Sequence, residues 1–171
     1  TEVSADALEP HLQEQADAAA KAIAESLAYV GVLCIEFFLV QYDDGSLHWV
    51  VNEMAPRPHN SGHYSINACD VSQFELQVRT MAGLPLVQPR LHSAAVMLNI
   101  LGDVWIDSAG LSVSPAWDQV WALPGVHVHL YDKAQPRQAR KMGHVTITAS
   151  TLEQARIQAQ AVEKILRLPP T

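Results

Sequence analysis

The sequence predicts an α+β chain in two portions. A helix-period apolar stripe opens it, and two strand-like runs follow, joined by an Asp-Gly turn. Beyond Pro85 and Pro89, three more strand-like segments lead to a capped closing helix.

In the first portion Leu8, Leu12, Ala16, Ala19, Ile23, Leu27 and Val30 recur every three or four residues, which predicts an amphipathic helix ending near Gly31. Asp6 and Glu9 have capping-box spacing, while Pro10 offers a second possible start. Residues 32–42 (VLCIEFFLVQY) are almost all apolar, β-branched or aromatic, and predict a strand covered on both faces. Asp43, Asp44, Gly45 and Ser46 supply a hairpin turn, with residues 47–54 as the return strand. The proline-containing stretch Ala55–Ser65 lacks periodicity and reads as a loop, and a helix is expected from Ser72 to about Met81. Strands are expected at 94–101, 126–131 and 143–149, and the closing helix takes Ser150 and Glu153 as its cap. The change of character at the prolines divides the chain into residues 1–88 and a small β-rich portion, 89–171.

With 171 residues, 49% of them hydrophobic and 17% charged, the chain can bury a sizeable core. A net charge of -7 argues against general nucleic-acid binding, which needs clustered Lys and Arg. Cys34 and Cys69 show neither CxxC spacing nor a disulfide framework, so a reduced compartment is expected. No apolar run reaches the length of a membrane span and no signal-like pattern opens the sequence, so no membrane partner is expected and the cytoplasm is the expected location.

If Asp44-Gly45 is a two-residue turn, Glu36 falls directly opposite Glu53. Like charges so placed repel. One acid can take a proton, a cation of the protein can neutralise the pair, or a divalent metal can bind between them. The ligand type favours Mg2+ or Mn2+ over zinc. An odd loop or a bulge would send one acid to the other face.

After Glu53, the string NEMAPRPHNSGH crowds Arg57, His59, Asn60 and His63 into a few residues. It suits a solvated polar loop or, with Arg57 binding bidentately, an oxyanion site. His59 and His63 have H-x3-H spacing, but no cysteine or further histidine close in sequence completes a zinc set. Lys133, Arg137, Arg140 and Lys141 gather in a short stretch that suits a solvated turn or a phosphate clamp.

GVLCIEFF, NEMAPRPHNSGH, SQFELQVRTMAGLPL, VMLNILG and YDK…RKMGHV occur in the order seen in the 5-(carboxyamino)imidazole ribonucleotide synthetases, and from Val30 to Val145 the sequence resembles that family. The resemblance implies the later, antiparallel-sheet half of an ATP-grasp domain joined to a small β-rich C-terminal module. It implies a ligase of purine synthesis that uses ATP to activate bicarbonate as carboxyphosphate and carboxylates 5-aminoimidazole ribonucleotide, releasing ADP and phosphate. Glu36 and Glu53 match that family's Mg2+ ligands, and Asn52 and Glu53 its ATP-binding wall. Arg57, His59 and Asn60 match the residues at bicarbonate and the reacting centre, and Lys133 and Arg140 those gripping the ribonucleotide phosphate. Such enzymes are commonly homodimers. Nothing here matches their nucleotide-fold domain or phosphate-covering lid, so a missing N-terminal portion is an expected partner and the isolated chain is expected to be inactive. The alternatives are another ATP-grasp carboxylase or formate-using ligase, a noncatalytic metal- or nucleotide-binding module, and a dimerisation module.

Overall fold

A computed structural model describes residues 1–5 and 8–169. In chain order the elements are β1 (Glu2–Val3), α1 (Pro10–Ser26), β2 (Cys34–Gln41), β3 (Leu47–Ala55), a 3-10 turn (Asn60–Gly62), α2 (Ser65–Ala68), α3 (Gln73–Met81), β4 (Ala94–Leu101), a second 3-10 turn (Gly102–Trp105), α4 (Trp117–Trp121), β5 (Val126–Leu130), β6 (Lys141–Ala149) and α5 (Leu152–Leu166). They form two compact units, one spanning Ala5–Arg90 and the other Thr1–Ser4 with Leu91–Thr171. Among the described residues no helix is long and apolar enough to cross a membrane.

In the unit spanning Ala5–Arg90, α1 starts at Pro10, with Glu9 as N-cap; Asp6, the other candidate cap residue, lies outside the described residues. The helix stops earlier than its apolar period suggests. The Tyr29 N–H donates to the Ala24 carbonyl and the Ala28 N–H to that of Glu25, a Schellman closure that puts Ala28 at φ 46°. Leu27 and Val30 therefore leave the buried stripe and are 59% and 79% exposed. The indole N–H of Trp49 on β3 donates to the Leu12 carbonyl, tying α1 to the hairpin.

β2 and β3 form a two-stranded antiparallel sheet of their own. The expectation that β2 is covered on both faces fails over its second half, where Phe38, Leu39 and Val40 are exposed. Neighbouring residues of a strand point to opposite faces, and a two-stranded ribbon has too few neighbours to cover both.

The other unit is a four-stranded antiparallel sheet in the order β1-β4-β6-β5. One face of β4 and β6 (Val96, Leu98, Ile100, Val145 and Ile147) packs against Ala155, Ala159, Val162 and Leu166 of α5. This is the 3.6-residue stripe meeting the two-residue alternation of the strands. The cap of α5 lies one residue later than Ser150. Thr151 Oγ1 accepts the Gln154 N–H, while Ser150 Oγ bonds Gln154 Oε1. Arg156 holds Glu2 with two bonds of 2.8 and 2.6 Å, which keeps Glu2 below the usual carboxylate range and ties β1 to α5. The short β1 and α4 have no periodic signature in the sequence.

Ala28 occupies a left-handed position that costs an L-residue with a Cβ about 1–2 kcal/mol. Replacing Ala28 with Gly is expected to stabilise the Ala5–Arg90 unit by about 0.5–1 kcal/mol after the extra chain entropy of glycine is counted, measured as a higher urea midpoint at unchanged slope.

Candidate functional site

The site is built on the register of the hairpin. The Tyr42 N–H donates to the Ser46 carbonyl and the Gly45 N–H to that of Tyr42, both at 2.9 Å, so the loop has three residues rather than two. Gly45 closes it at φ 83°, a conformation that favours glycine, and Asp44 Oδ1 accepts the Ser46 N–H. Next to the turn the pairing is therefore one residue away from expectation, with Gln41 opposite Leu47 and Phe37 opposite Val51. A bulge then leaves Asn52 unpaired and sets Glu36 opposite Glu53. The two single-residue slips cancel, and the acids meet as the sequence suggests.

Between them stands His59. Its Nδ1 lies 3.4 Å from Glu36 Oε1 and its Nε2 3.6 Å from Glu53 Oε1, so one ring spans both acids on a shared face. The imidazole is only 15% exposed, against 34% and 54% for the two carboxylates, which makes it the fixed member of the group. When protonated it can neutralise part of the pair's charge. When neutral it leaves two hard oxygen ligands to a divalent cation.

Gln73 holds the ring in place. Its Oε1 accepts the His59 N–H at 2.9 Å and its Nε2 donates to the His59 carbonyl at 2.8 Å, so the carboxamide pairs with the loop backbone as a neighbouring strand would. This settles the orientation of the amide. The second Nε2 hydrogen reaches His63 Nδ1 at 2.7 Å, which places the proton of His63 on Nε2. The Gln73 N–H donates to Ser65 Oγ, which in turn donates to the Gly62 carbonyl. A Cβ at position 62 would stand 2.6 Å from Gln73 Oε1, so any other residue there would push the carboxamide off its partners. Ser61 Oγ, 2.8 Å from His59 Nδ1 and 3.4 Å from Cys34 Sγ, completes the cluster.

Arg57 is exposed, with one guanidinium nitrogen on the Pro58 carbonyl, and Asn60 opens the 3-10 turn with its carbonyl accepting the His63 N–H. Lys133 and Arg140 lie in the other unit, on the loop between β5 and β6. Lys133 Nζ donates to the Lys141 carbonyl at 2.6 Å and lies 5.3 Å from the centre of the Tyr131 ring. Arg140 donates to the Gln135 carbonyl. Among the described residues neither cation pairs with a carboxylate. Asp103 anchors the loop by accepting the Ala139 N–H. Gln73, Ser61 and Cys34 are the members that sequence reasoning missed; the one available signal was Ser72 as N-cap, which puts Gln73 at the start of α3.

Removing the carboxamide leaves the His59 N–H without its partner and the His59 carbonyl with the Gly62 N–H alone. Gln73→Ala is expected to destabilise the Ala5–Arg90 unit by about 1–3 kcal/mol in urea denaturation, and to speed hydrogen exchange at the His59 amide more than at the amides of β2.

Residues 1–74 match the ATP-grasp domain family, and residues 95–158 match the phosphoribosylaminoimidazole carboxylase C-terminal domain family. The N5-carboxyaminoimidazole ribonucleotide synthase of Vibrio cholerae serotype O1 is 49% identical over 140 residues, which cover 82% of this chain and 33% of that protein. The crystal structure of N5-carboxyaminoimidazole ribonucleotide synthetase from Thermus thermophilus superposes with a TM-score of 0.81 at 34% identity, covering 98% of this chain and 42% of that one. The Aspergillus clavatus synthase in complex with ADP and 5-aminoimidazole ribonucleotide gives a TM-score of 0.74 at 29% identity, over 97% of this chain and 46% of that one. The chain spans about a third of the length of the curated relatives it matches. The chain therefore carries part of an ATP-grasp domain followed by a phosphoribosylaminoimidazole carboxylase C-terminal domain.

Proposed function

We propose that this chain is the later part of a cytoplasmic ATP-dependent ligase that carboxylates 5-aminoimidazole ribonucleotide with bicarbonate in purine biosynthesis. The observation that carries the reading is Glu36 facing Glu53 across the bulged hairpin, with His59 held beside them on a pinned loop. In the reaction, a bicarbonate oxygen takes the terminal phosphoryl group of ATP to give carboxyphosphate and ADP. The exocyclic amine of the ribonucleotide then attacks the carboxyl carbon, and phosphate leaves.

Two carboxylates on one face suit Mg2+ or Mn2+, which keep several positions for water and substrate phosphate. Glu36 and Glu53 would hold the ion, which when bound supplies positive charge at the transferring phosphoryl oxygens. Asn52 and Glu53 form part of the nucleotide wall. Arg57, His59 and Asn60 bind bicarbonate and orient it, with the guanidinium of Arg57 free of any carboxylate among the described residues. Lys133 and Arg140, likewise without acidic partners there, take the ribonucleotide phosphate. The exposed apolar residues on both faces of the hairpin support an N-terminal portion of the enzyme as partner, and the intact protein is read as a homodimer.

ADP release is the test, with bicarbonate, Mg2+ and the ribonucleotide supplied, first to this chain and then to the chain with an N-terminal portion restored. The expected outcome is no turnover by the chain alone and turnover by the restored enzyme. There, Glu36→Gln and Glu53→Gln are each expected to lower kcat on the order of 100-fold or more, and Lys133→Ala to raise KM for the ribonucleotide. Turnover by the isolated chain near the restored rate would overturn the reading, as would full activity in both glutamine variants.

A further inference from the structure

Cys34 stands at the start of β2, two residues before Glu36 and so on the same face of the strand. Its Sγ, a carboxylate oxygen of Glu36 and a ring nitrogen of His59 all lie within 4.8 Å of one another. None of the three is fully exposed, and Cys34 is a free thiol. Thiolate, carboxylate and imidazole together are not a magnesium set. They are the donors of a zinc centre that keeps a fourth position open.

We propose that Cys34, Glu36 and His59 form a binding site for Zn2+, separate in ligand chemistry from the carboxylate pair but sharing Glu36 with it. Donors 2.0–2.2 Å from a tetrahedral zinc stand about 3.4 Å apart. Glu36 Oε1 and His59 Nδ1 are 3.4 Å apart already. A sulfur ligand at about 2.3 Å belongs about 3.6 Å from the nitrogen, so Cys34 needs a shift on the order of 1 Å, within reach of a side-chain rotation. The Ser61 hydroxyl, now bridging Cys34 Sγ and His59 Nδ1, turns aside as the ion enters.

With Nδ1 on the metal, His59 carries its proton on Nε2, which faces Glu53 Oε1 at 3.6 Å. A closing movement of about 0.5 Å would make it the carboxylate-histidine-metal arrangement that orients a ligating ring. Gln73 fixes the same histidine from behind through its backbone. On binding, the Cys34 thiol gives its proton to solvent, and one thiolate with one carboxylate balances the charge of the ion. Zinc in this site takes Glu36 away from Mg2+; that consequence rests on the ligase reading, whereas zinc binding itself does not.

Cobalt(II) is the probe, titrated into the 171-residue chain as it stands. One equivalent is expected to bring tetrahedral d-d bands and a thiolate-to-metal charge-transfer band. Equimolar Zn2+ is expected to erase both, and a large excess of Mg2+ to leave them. Cys34→Ala should remove the charge-transfer band, and His59→Ala should weaken binding at least tenfold, with circular dichroism checking that both variants fold. Cys69→Ser should leave the spectrum unchanged, because burial and the neighbouring Asp70 push the Cys69 thiol up and away from thiolate. A spectrum without the charge-transfer band in the parent chain, or with the band retained in Cys34→Ala, overturns the proposal. Either result leaves the ADP-release outcome untouched, so the two readings fail separately.

Discussion

The pairing of the Gln73 carboxamide with both backbone groups of His59 is the constraint on which the candidate site depends. A loop with two prolines and a glycine has few backbone hydrogen bonds of its own, and here a buried side chain provides them. One amide group satisfies a donor, an acceptor and the His63 ring, and its main-chain nitrogen engages Ser65. Polar contacts to the peptide groups on both sides of one Cα determine the direction in which its side chain leaves. That is how an aperiodic stretch delivers an imidazole between two carboxylates instead of into solvent.

The hairpin supplies the other half of the arrangement. Glu36 and Glu53 occupy a sheet too narrow to shield them, so each stays partly solvated and the cost of placing two negative charges together is limited by water. Neither acid is engaged by a lysine or arginine among the described residues, while Glu75 on α3 is paired in the ordinary way with Arg79. Both carboxylates lie on the face that carries His59. On the β5–β6 loop, the polar contacts of Lys133 and Arg140 are to carbonyls that orient the cation without cancelling it.

Much of this architecture was legible in the residues. Strands β4, β5 and β6 and helix α3 follow from periodicity and caps, because each buries a face against neighbours whose spacing is set by backbone geometry. The facing acids were also legible, though by a route the sequence could not show: an odd loop and a bulge compensate each other, and neither leaves a composition signal beyond the Asp-Gly turn. The role of Gln73 was not legible. It arises from contacts across 10 and 14 residues, and a glutamine at the start of a helix is an ordinary surface choice until the loop folds over it. Cys34 was hidden for the same reason: it is 25 positions from His59 in the sequence, so a short-range spacing search finds only His63. The helix end at Ala28 was missed because alanine, unlike glycine or asparagine, gives no signal of a left-handed position.

The cancelling slips make the hairpin a parity device. Antiparallel strands present their side chains in strict alternation, so for this sequence the face of Glu53 depends on whether the single-residue shifts in the pairing between it and Glu36 are odd or even in number. The three-residue loop contributes one odd step and Asn52 the other. Losing either one alone would turn Glu53 to the opposite face, whereas losing both would leave the two acids facing as before. Loop shortening, tag insertion or chain fusion at Asp43–Gly45 therefore carries a rule of its own: a change of any length preserves the site while Tyr42 still closes on Ser46, and a turn that re-pairs the strands by one residue destroys it.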